Sequence, residues 1–347
     1  MSADPIPIMG STAGRRFGFG GLIFGLLLLA VVIGIGMHLG EVAQFVALGR
    51  QSDPVWLLAA FLLQSGTYLC AAAVWGSALR RAGWPLPLPV LVRLSLAKLF
   101  ADHAIPSAGV SGGLLFTQGL HRYQVPAAVG WAALLFSLLT SFLAALPLTL
   151  WVLWALHRVD RSHPLLVALL AAYLILALVM VLGVLLLRET THWPRLERLL
   201  WVRRLLVMLR EAAPGLLRSP ALVARGSLLQ AALVVLDGLT LWTLLHAVGM
   251  TTAPTAAVAA LVAANAAAAL SPIPAGLGTF EGTAVAVLAL LDTPIAAALT
   301  ATLLLRGFAL WLPLLPGLWL ARRLLARHDD ELSAASRGRP RPGATHE

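Results

Sequence analysis

Glu281 and Arg306 fall inside apolar sequence, where an ionisable side chain is costly and faces a partner or a wet cavity. Glu281 closes the interrupted run Pro272-Ile273-Pro274-Ala275-Gly276-Leu277-Gly278-Thr279-Phe280. Arg306 lies twelve residues into the next apolar stretch, ~17 Å along at about 1.5 Å per residue and so near the middle of a bilayer. Two chemistries fit these residues, and they are compatible. The pair can be a structural salt bridge bracing the break, or a gate that opens when a phosphate takes the arginine. Asp237 is either a packing hydrogen bond to a Gln or Thr, or part of a polar path. Lys98 and Asp102 are one turn apart and read as a local salt bridge, with anion attraction as a second use. His103 reads as a satisfied histidine. Gln64, Tyr68, Gln230 and Asn265 add uncharged polarity, and Arg93 and Arg122 are placed to hold headgroups at an interface. The single cysteine, Cys70, and the lack of CxxC or Cys/His clusters predict no metal, no haem and no other cofactor. No residue is singled out as catalytic.

A second interruption resembles the first. Ala104-Ile105-Pro106-Ser107-Ala108-Gly109-Val110-Ser111-Gly112 precedes it by 168 residues, measured from Pro106 to Pro274, and each is followed 20 residues later by another proline, Pro126 and Pro294. The same offset pairs Ser111 with Thr279, both predicted to cap the half-helix that follows. Proline ends the first half-helix, glycine permits close backbone approach, and the second half-helix offers free N–H groups and a positive dipole end. Such an end suits an anion such as a lipid phosphate. Gly109, Ser111 and Gly112 at one break, and Gly276, Gly278 and Thr279 at the other, are therefore expected to hold a headgroup. With 30 Gly and 21 Pro in the chain, a pair of packing kinks is the competing explanation.

The elements that must position these residues follow from composition. Of 347 residues, 59% are hydrophobic and 12% charged, with a mean hydropathy of +0.87. A soluble domain carries about a quarter charged residues, so an ordinary soluble enzyme, a disordered chain and a nucleic-acid-binding domain are excluded. Eight apolar stretches are visible: 20–39, 55–79, 90–120, 127–156, 165–187, 221–248, 254–291 and 295–321. The first is too long for a signal-peptide core of ~7–15 residues and reads as a retained anchor. Arginine supplies all but one of the 25 basic residues and gathers at the N-terminus, after the second stretch, between 188 and 218, and in the tail. These regions should be cytoplasmic. Arg158 and Arg161 are the one weak fit. The pattern closes only if the third and seventh stretches do not cross. The expected fold is an all-α polytopic membrane protein with about six full crossings and two broken re-entrant hairpins in an inverted repeat.

The domain layout expected is a cytoplasmic segment over 1–19, a transmembrane domain over 20–325 and a disordered basic tail over 326–347. Within the domain, one repeat covers about 55–156 and the other about 221–325. An amphipathic linker over 188–219 has leucines and Trp193 among its arginines and fits an anionic membrane surface.

At the second break the sequence resembles a known family. Asn265, the run from Pro274 to Glu281, Arg306 and Pro313 look like the lysylphosphatidylglycerol synthase transmembrane-region family, whose pattern there is close to PGGxGxxE with an Arg in the next helix. Pro106 to Gly113, and Arg122-Tyr123-Gln124-Val125, are similar to its first glycine motif and its R-x-G-V turn. Ala275 and Gln124 depart from glycine in those motifs, and the usual Asn before Pro106 is missing, so the headgroup handled here need not be the family's. The resemblance implies the flippase half of multiple peptide resistance factor proteins, without their synthase domain. It implies a multi-pass protein of the bacterial cytoplasmic membrane with both termini inside. The expected partners are anionic or polyprenyl-type membrane lipids and a lipid-synthesis enzyme, with no nucleic acid. The alternatives are a membrane-embedded lipid or polyprenyl transferase, and a non-transporting scaffold of a lipid or glycan synthesis complex.

Overall fold

The computed structural model describes residues 50–104, 110–161, 163–189, 216, 219–273 and 276–311. Outside them lie the first apolar stretch, the linker from 190 to 215, the centre of the first break with Pro106 and Gly109, Pro274, Ala275, Pro313 and the tail, and the side chains of Asp102 and His103.

Every regular element among the described residues is helical. The helices are α1 (Pro54–Arg81), α2 (Leu88–Ala104), α3 (Val110–His121), α4 (Ala127–Arg158), α5 (Pro164–Glu189), α6 (Pro220–Ala247), α7 (Pro254–Leu270), α8 (Thr279–Leu290) and α9 (Ile295–Arg306), followed by a π-helical stretch, Gly307–Trp311. Four are long and apolar enough to cross a membrane: Pro54–Arg81, Ala127–Arg158, Pro164–Leu185 and Pro220–Ala247. Their starts follow from local chemistry. Asp53 accepts from the N–H of Val55 at 2.9 Å, and Ser219 from that of Leu222 at 3.4 Å. Each cap is followed by proline at the first helical position, where its missing N–H costs nothing. Pro254 opens α7 in the same way.

The two interrupted stretches fold as helical hairpins of matching size. α2 and α7 each have 17 residues, and α3 and α8 each have 12. At about 1.5 Å per residue, 17 residues reach ~25 Å, short of a ~30 Å hydrocarbon core. Each hairpin packs into its own apolar cluster. The first cluster joins Leu91 and Leu94 of α2 and Phe116 and Leu120 of α3 to the C-terminal half of α1 and the N-terminal half of α4. The second joins α7 and α8 to Ala60 near the start of α1, to Val152 and Leu156 near the end of α4, and to Leu241–Leu245 of α6. The hairpins therefore occupy opposite ends of α1 and α4. Asp53 N–H donating to Ala247 O at 3.0 Å, and the Trp242 indole donating to Thr252 O at 2.8 Å, tie together the chain ends beside the second hairpin.

Residues 295–321 read as one continuous helix, but the α-geometry stops at Arg306 and a π-helical turn follows. Two carbonyls of this stretch, on Phe308 and Ala309, accept from the Tyr68 hydroxyl at 3.2 and 3.4 Å.

α6 and α7 approach through Gly238, where an added Cβ would stand 2.8 Å from the Val258 Cα. Among the described residues, Gly183 of α5 has no neighbour within 4 Å at that position. Gly238→Ala should therefore lower the thermal unfolding temperature in detergent, by about 1–3 kcal/mol of stability. Gly183→Ala should be neutral or raise stability by up to ~1 kcal/mol. Equal unfolding temperatures in the two variants would remove the close α6–α7 contact from this account.

Candidate functional site

The second hairpin turns on two glycines in left-handed conformations, Gly276 at φ 63° and Gly278 at φ 79°. At Gly276 there is also no room. A Cβ would meet Ala268 of α7, with that residue's Cα at 2.9 Å. At Gly278 the space is open, so only the backbone conformation asks for glycine. Gly278 is the N-cap of α8, and this corrects the expectation for Thr279. Thr279 is the first helical residue, and its hydroxyl donates to Gly276 O at 3.0 Å, closing the loop rather than capping the helix. A glycine cap has no side-chain acceptor for the N–H groups of the first turn, and the side-chain contact at this helix start comes from Glu281, at the third helical position. Its Oε2 accepts from the Gly278 N–H at 2.7 Å, the reciprocal half of a capping box.

The other oxygen of that carboxylate, Oε1, accepts from Arg306 Nε at 2.5 Å. The Arg306 guanidinium also makes a long contact, 3.5 Å, from Nη2 to Gly276 O, and lies 4.2 Å above the centre of the Phe280 ring. The Glu281 and Arg306 side chains are only 16% and 14% exposed. One carboxylate thus joins a half-helix start, whose dipole favours negative charge, to an arginine on the neighbouring helix. Glu281, Arg306, Gly276, Gly278 and Thr279 lie together at the hairpin tip. Sequence reasoning missed Phe280. The signal that would have found Phe280 is its place beside Glu281 at a helix start facing the arginine. Asn265 is half-buried on α7, three residues before Ala268 and so on the same helix face.

Asp237 lies elsewhere, in the packing of α6 on α1. Its Oδ1 accepts from the Gln64 side-chain amide at 3.2 Å, which is the packing hydrogen bond to a glutamine expected as one of its two roles. The same amide reaches the Thr67 hydroxyl at 3.1 Å. Gln64 Oε1 is buried and, among the described residues, has no hydrogen-bond partner. Tyr68, one turn beyond Gln64, carries this polar strip to the π-helical carbonyls that follow Arg306. Gln230 donates to Ser137 O and to its hydroxyl, linking α6 to α4.

The remaining predicted residues belong to the first hairpin. Ser111 is the second residue of α3, not its cap. Its hydroxyl donates 2.9 Å to Ala101 O of α2, bridging the two half-helices. Gly112 is buried, Lys98 is half-buried on α2, and Arg122 is half-buried just past α3, while Arg93 is exposed. The Lys98–Asp102 pair and Gly109 lie outside what is described. Among the described residues no three His, Cys, Asp or Glu side chains gather as a metal site would require.

Four helices fit to span a bilayer, and a hairpin whose tip carries a glycine-bound ion pair, define a polytopic membrane protein with polar groups held inside its helical bundle. The family model for the lysylphosphatidylglycerol synthase TM region matches residues 20–317, and the chain belongs to that family. No curated protein matches it.

Gly276→Ala should be the most damaging glycine change at the hairpin, at about 2–4 kcal/mol from strain and collision together. Gly278→Ala should cost ~1–2 kcal/mol, from backbone strain alone. Glu281→Ala leaves Arg306 and a helix start without their common partner, and should cost about 2–4 kcal/mol, somewhat less than for a fully enclosed pair. Glu281→Gln keeps an acceptor for the Gly278 N–H and should cost clearly less than Glu281→Ala. Denaturant unfolding in detergent measures this ranking.

Proposed function

We propose that the protein is a flippase-like transporter that moves a polar-headgroup lipid, anionic or polyprenyl-linked, between membrane leaflets without catalysing a reaction. The observation that carries this reading is the Glu281–Arg306 pair at a glycine-lined half-helix start. An arginine binds phosphate as readily as carboxylate, with two parallel hydrogen bonds, and a half-helix N-terminus is suited to the same anion. When a headgroup phosphate takes Arg306, Glu281 is released from it while still holding Gly278. The pair then acts as a gate that the headgroup itself opens. Membership of a membrane lipid-related family supports this reading.

In this reading both hairpins are re-entrant and dip in from opposite faces, as an inverted repeat. Their equal lengths and their places at opposite ends of α1 and α4 support that arrangement. Irregular backbone at membrane depth needs protein or water around it, and inverted hairpins with a mid-membrane site are a known transporter architecture. The arginine distribution supports both termini lying on the cytoplasmic side, and the family supports a bacterial inner membrane. By the same charge rule, the end of the bundle where α1 and α7 begin would face the outer side. Asp237, with Gln64 and Tyr68, forms the rest of the polar path. Arg122 and Lys98 are the headgroup contacts at the other hairpin, and a lipid-synthesis enzyme is the partner that would supply the lipid.

The test is translocation of fluorescent phosphatidylglycerol and of an aminoacylated phospholipid across proteoliposomes, read by dithionite quenching. Wild-type protein should accelerate loss of inner-leaflet protection, and Arg306→Ala should abolish the acceleration, with its oligomer profile on gel filtration unchanged. Acceleration retained in folded Arg306→Ala removes the arginine from the mechanism. A protein that accelerates neither lipid, yet loses only stability in Arg306→Ala and Glu281→Ala, is a scaffold instead.

A further inference from the structure

The polar strip between α1 and α6 holds more acceptors than donors. Gln64 is only 3% exposed, and its side-chain amide is used at one end. The nitrogen donates to Asp237 Oδ1 at 3.2 Å and to Thr67 Oγ1 at 3.1 Å. The oxygen, Oε1, is enclosed and accepts from no described residue. Thr67 does not supply the missing donor, because its hydroxyl donates to Gln64 O at 2.7 Å. The Tyr68 hydroxyl, beside the same amide, donates to the carbonyls of Phe308 and Ala309. Turned the other way, the amide would set its oxygen against the carboxylate, which only a proton between them would reconcile. A buried amide oxygen is ordinarily satisfied, so this one calls for a donor or a cation.

Asp237 calls for the same thing. It is half-buried, and among the described residues its carboxylate accepts from Gln64 and pairs with no arginine, lysine or histidine. The titratable groups within reach of its charge are Tyr68 and Cys70 of α1, and neither is a cation. The other helices packed on α6, which are α4, α7 and α9, bring no described charged group to it. Glu281, by contrast, has Arg306. Both chain neighbours of Asp237 are held in close helix contacts. Leu236 lies against Gly66 of α1, where an added Cβ would stand 3.3 Å from its side chain, and Gly238 lies against Val258 of α7. Gln64 is ten residues from the start of α1 and Asp237 ten from the end of α6, two ends joined by the Asp53–Ala247 hydrogen bond. Both therefore lie ~15 Å from that end of the bundle, at about 1.5 Å per residue, and near the middle of a bilayer. What stays open there is acceptor oxygen and one negative charge. A water would answer the amide but not the charge. A small cation answers both, and one acid among neutral oxygens suits a monovalent ion better than a divalent one.

We propose that Asp237 and the Gln64 side-chain oxygen form a binding site for a small monovalent cation, a proton or Na⁺, and that this cation is the coupling ion of transport. A proton joins one carboxylate oxygen to give the neutral acid, and no other bond changes. Na⁺ is held by the carboxylate and the amide oxygen together. Either one removes the uncompensated charge from the α1–α6 seam. Tyr68 carries the change to the π-helical stretch directly after Arg306, so the two polar sites share one helix. The coupling role rests on the transport reading above, whereas the binding itself does not.

The experiment uses the full chain in nanodiscs and two direct readouts of binding. One is saturable binding of radioactive sodium in a scintillation proximity assay. The other is the carbonyl stretch of a protonated carboxyl, followed by infrared difference spectroscopy through a pH titration. Sodium binding should be lost in Asp237→Asn and weakened about tenfold in Gln64→Leu, a change of ~1.4 kcal/mol. A titrating carboxyl band should be lost in Asp237→Asn and kept in Glu281→Gln. Asparagine keeps the size of the side chain and an acceptor for the Gln64 amide, so a packing role alone would leave both readouts unmoved, and the gel-filtration profile should match wild type. Sodium binding without the band assigns the site to Na⁺, and the band without sodium binding assigns it to a proton. Both signals together, each lost in Asp237→Asn, mean that the two ions compete for one carboxylate. The proposal fails if folded Asp237→Asn loses neither signal, or if wild type shows neither. In proteoliposomes, an imposed gradient of the assigned ion should speed lipid translocation roughly fivefold in wild type and leave Asp237→Asn unaffected. Binding and translocation with no response to the gradient overturn the coupling role. Translocation without binding of either ion removes this site and leaves the transport reading standing. Binding without any translocation keeps the site and sinks the transport reading.

Discussion

An arginine twelve residues inside an apolar helix cannot be left to its surroundings. Neither hydrocarbon nor a packed side-chain core offers it a counter-charge, so the fold has to bring one. The contact between Arg306 and Glu281 meets that demand, and much of the second hairpin can be understood as what makes it possible. The carboxylate must come from a neighbouring element, near its start, at the depth of the arginine. A continuous helix from 254 to 291 would bury Glu281 mid-run with no helix end beside it. Breaking the run at the glycines creates a helix start there, and that start uses the other carboxylate oxygen. The ion pair and the broken helix are thus one solution to one electrostatic problem. Family membership gives that solution a membrane-lipid setting.

The same reasoning separates what the sequence revealed from what it concealed. The existence and extent of the long helices were plain, because apolar runs bounded by Asp-Pro, Ser-Pro and arginines leave little choice. The two breaks were plain for the same reason, since Pro and Gly are the residues that interrupt a helix. The pairing of Glu281 with Arg306 was also readable, because two costly charges in adjacent stretches have few other partners. The details of capping were not. Thr279 has the chemistry of a cap, but the positive φ of Gly278 sets the helix start one residue earlier. Tertiary contact then gave the threonine hydroxyl a different acceptor. Ser111 likewise turned from cap to bridge. The π-helical stretch after Arg306 left no mark in a run of Leu, Ala and Trp. Two of its carbonyls accept from the Tyr68 hydroxyl of another helix.

Arg158 and Arg161 are the weak fit to the charge rule used to orient the chain, and both have partners in the structure. Arg161 is bound to Asp292 and Leu290, and Arg158 lies over the Trp154 ring at 5.3 Å. Counting arginines loop by loop treats each as a free cation. Arg161 is paired with an acid 131 residues later in the chain, an exposed contact between loops that a loop-by-loop count does not see.

The Phe280 ring under Arg306 has a consequence of its own. An aromatic face attracts a cation through its quadrupole, so the ring adds a third attraction to the guanidinium beside the carboxylate and the Gly276 carbonyl. Without the carboxylate the arginine would still be held at the hairpin tip, by a ring that carries no charge and a carbonyl that carries no proton.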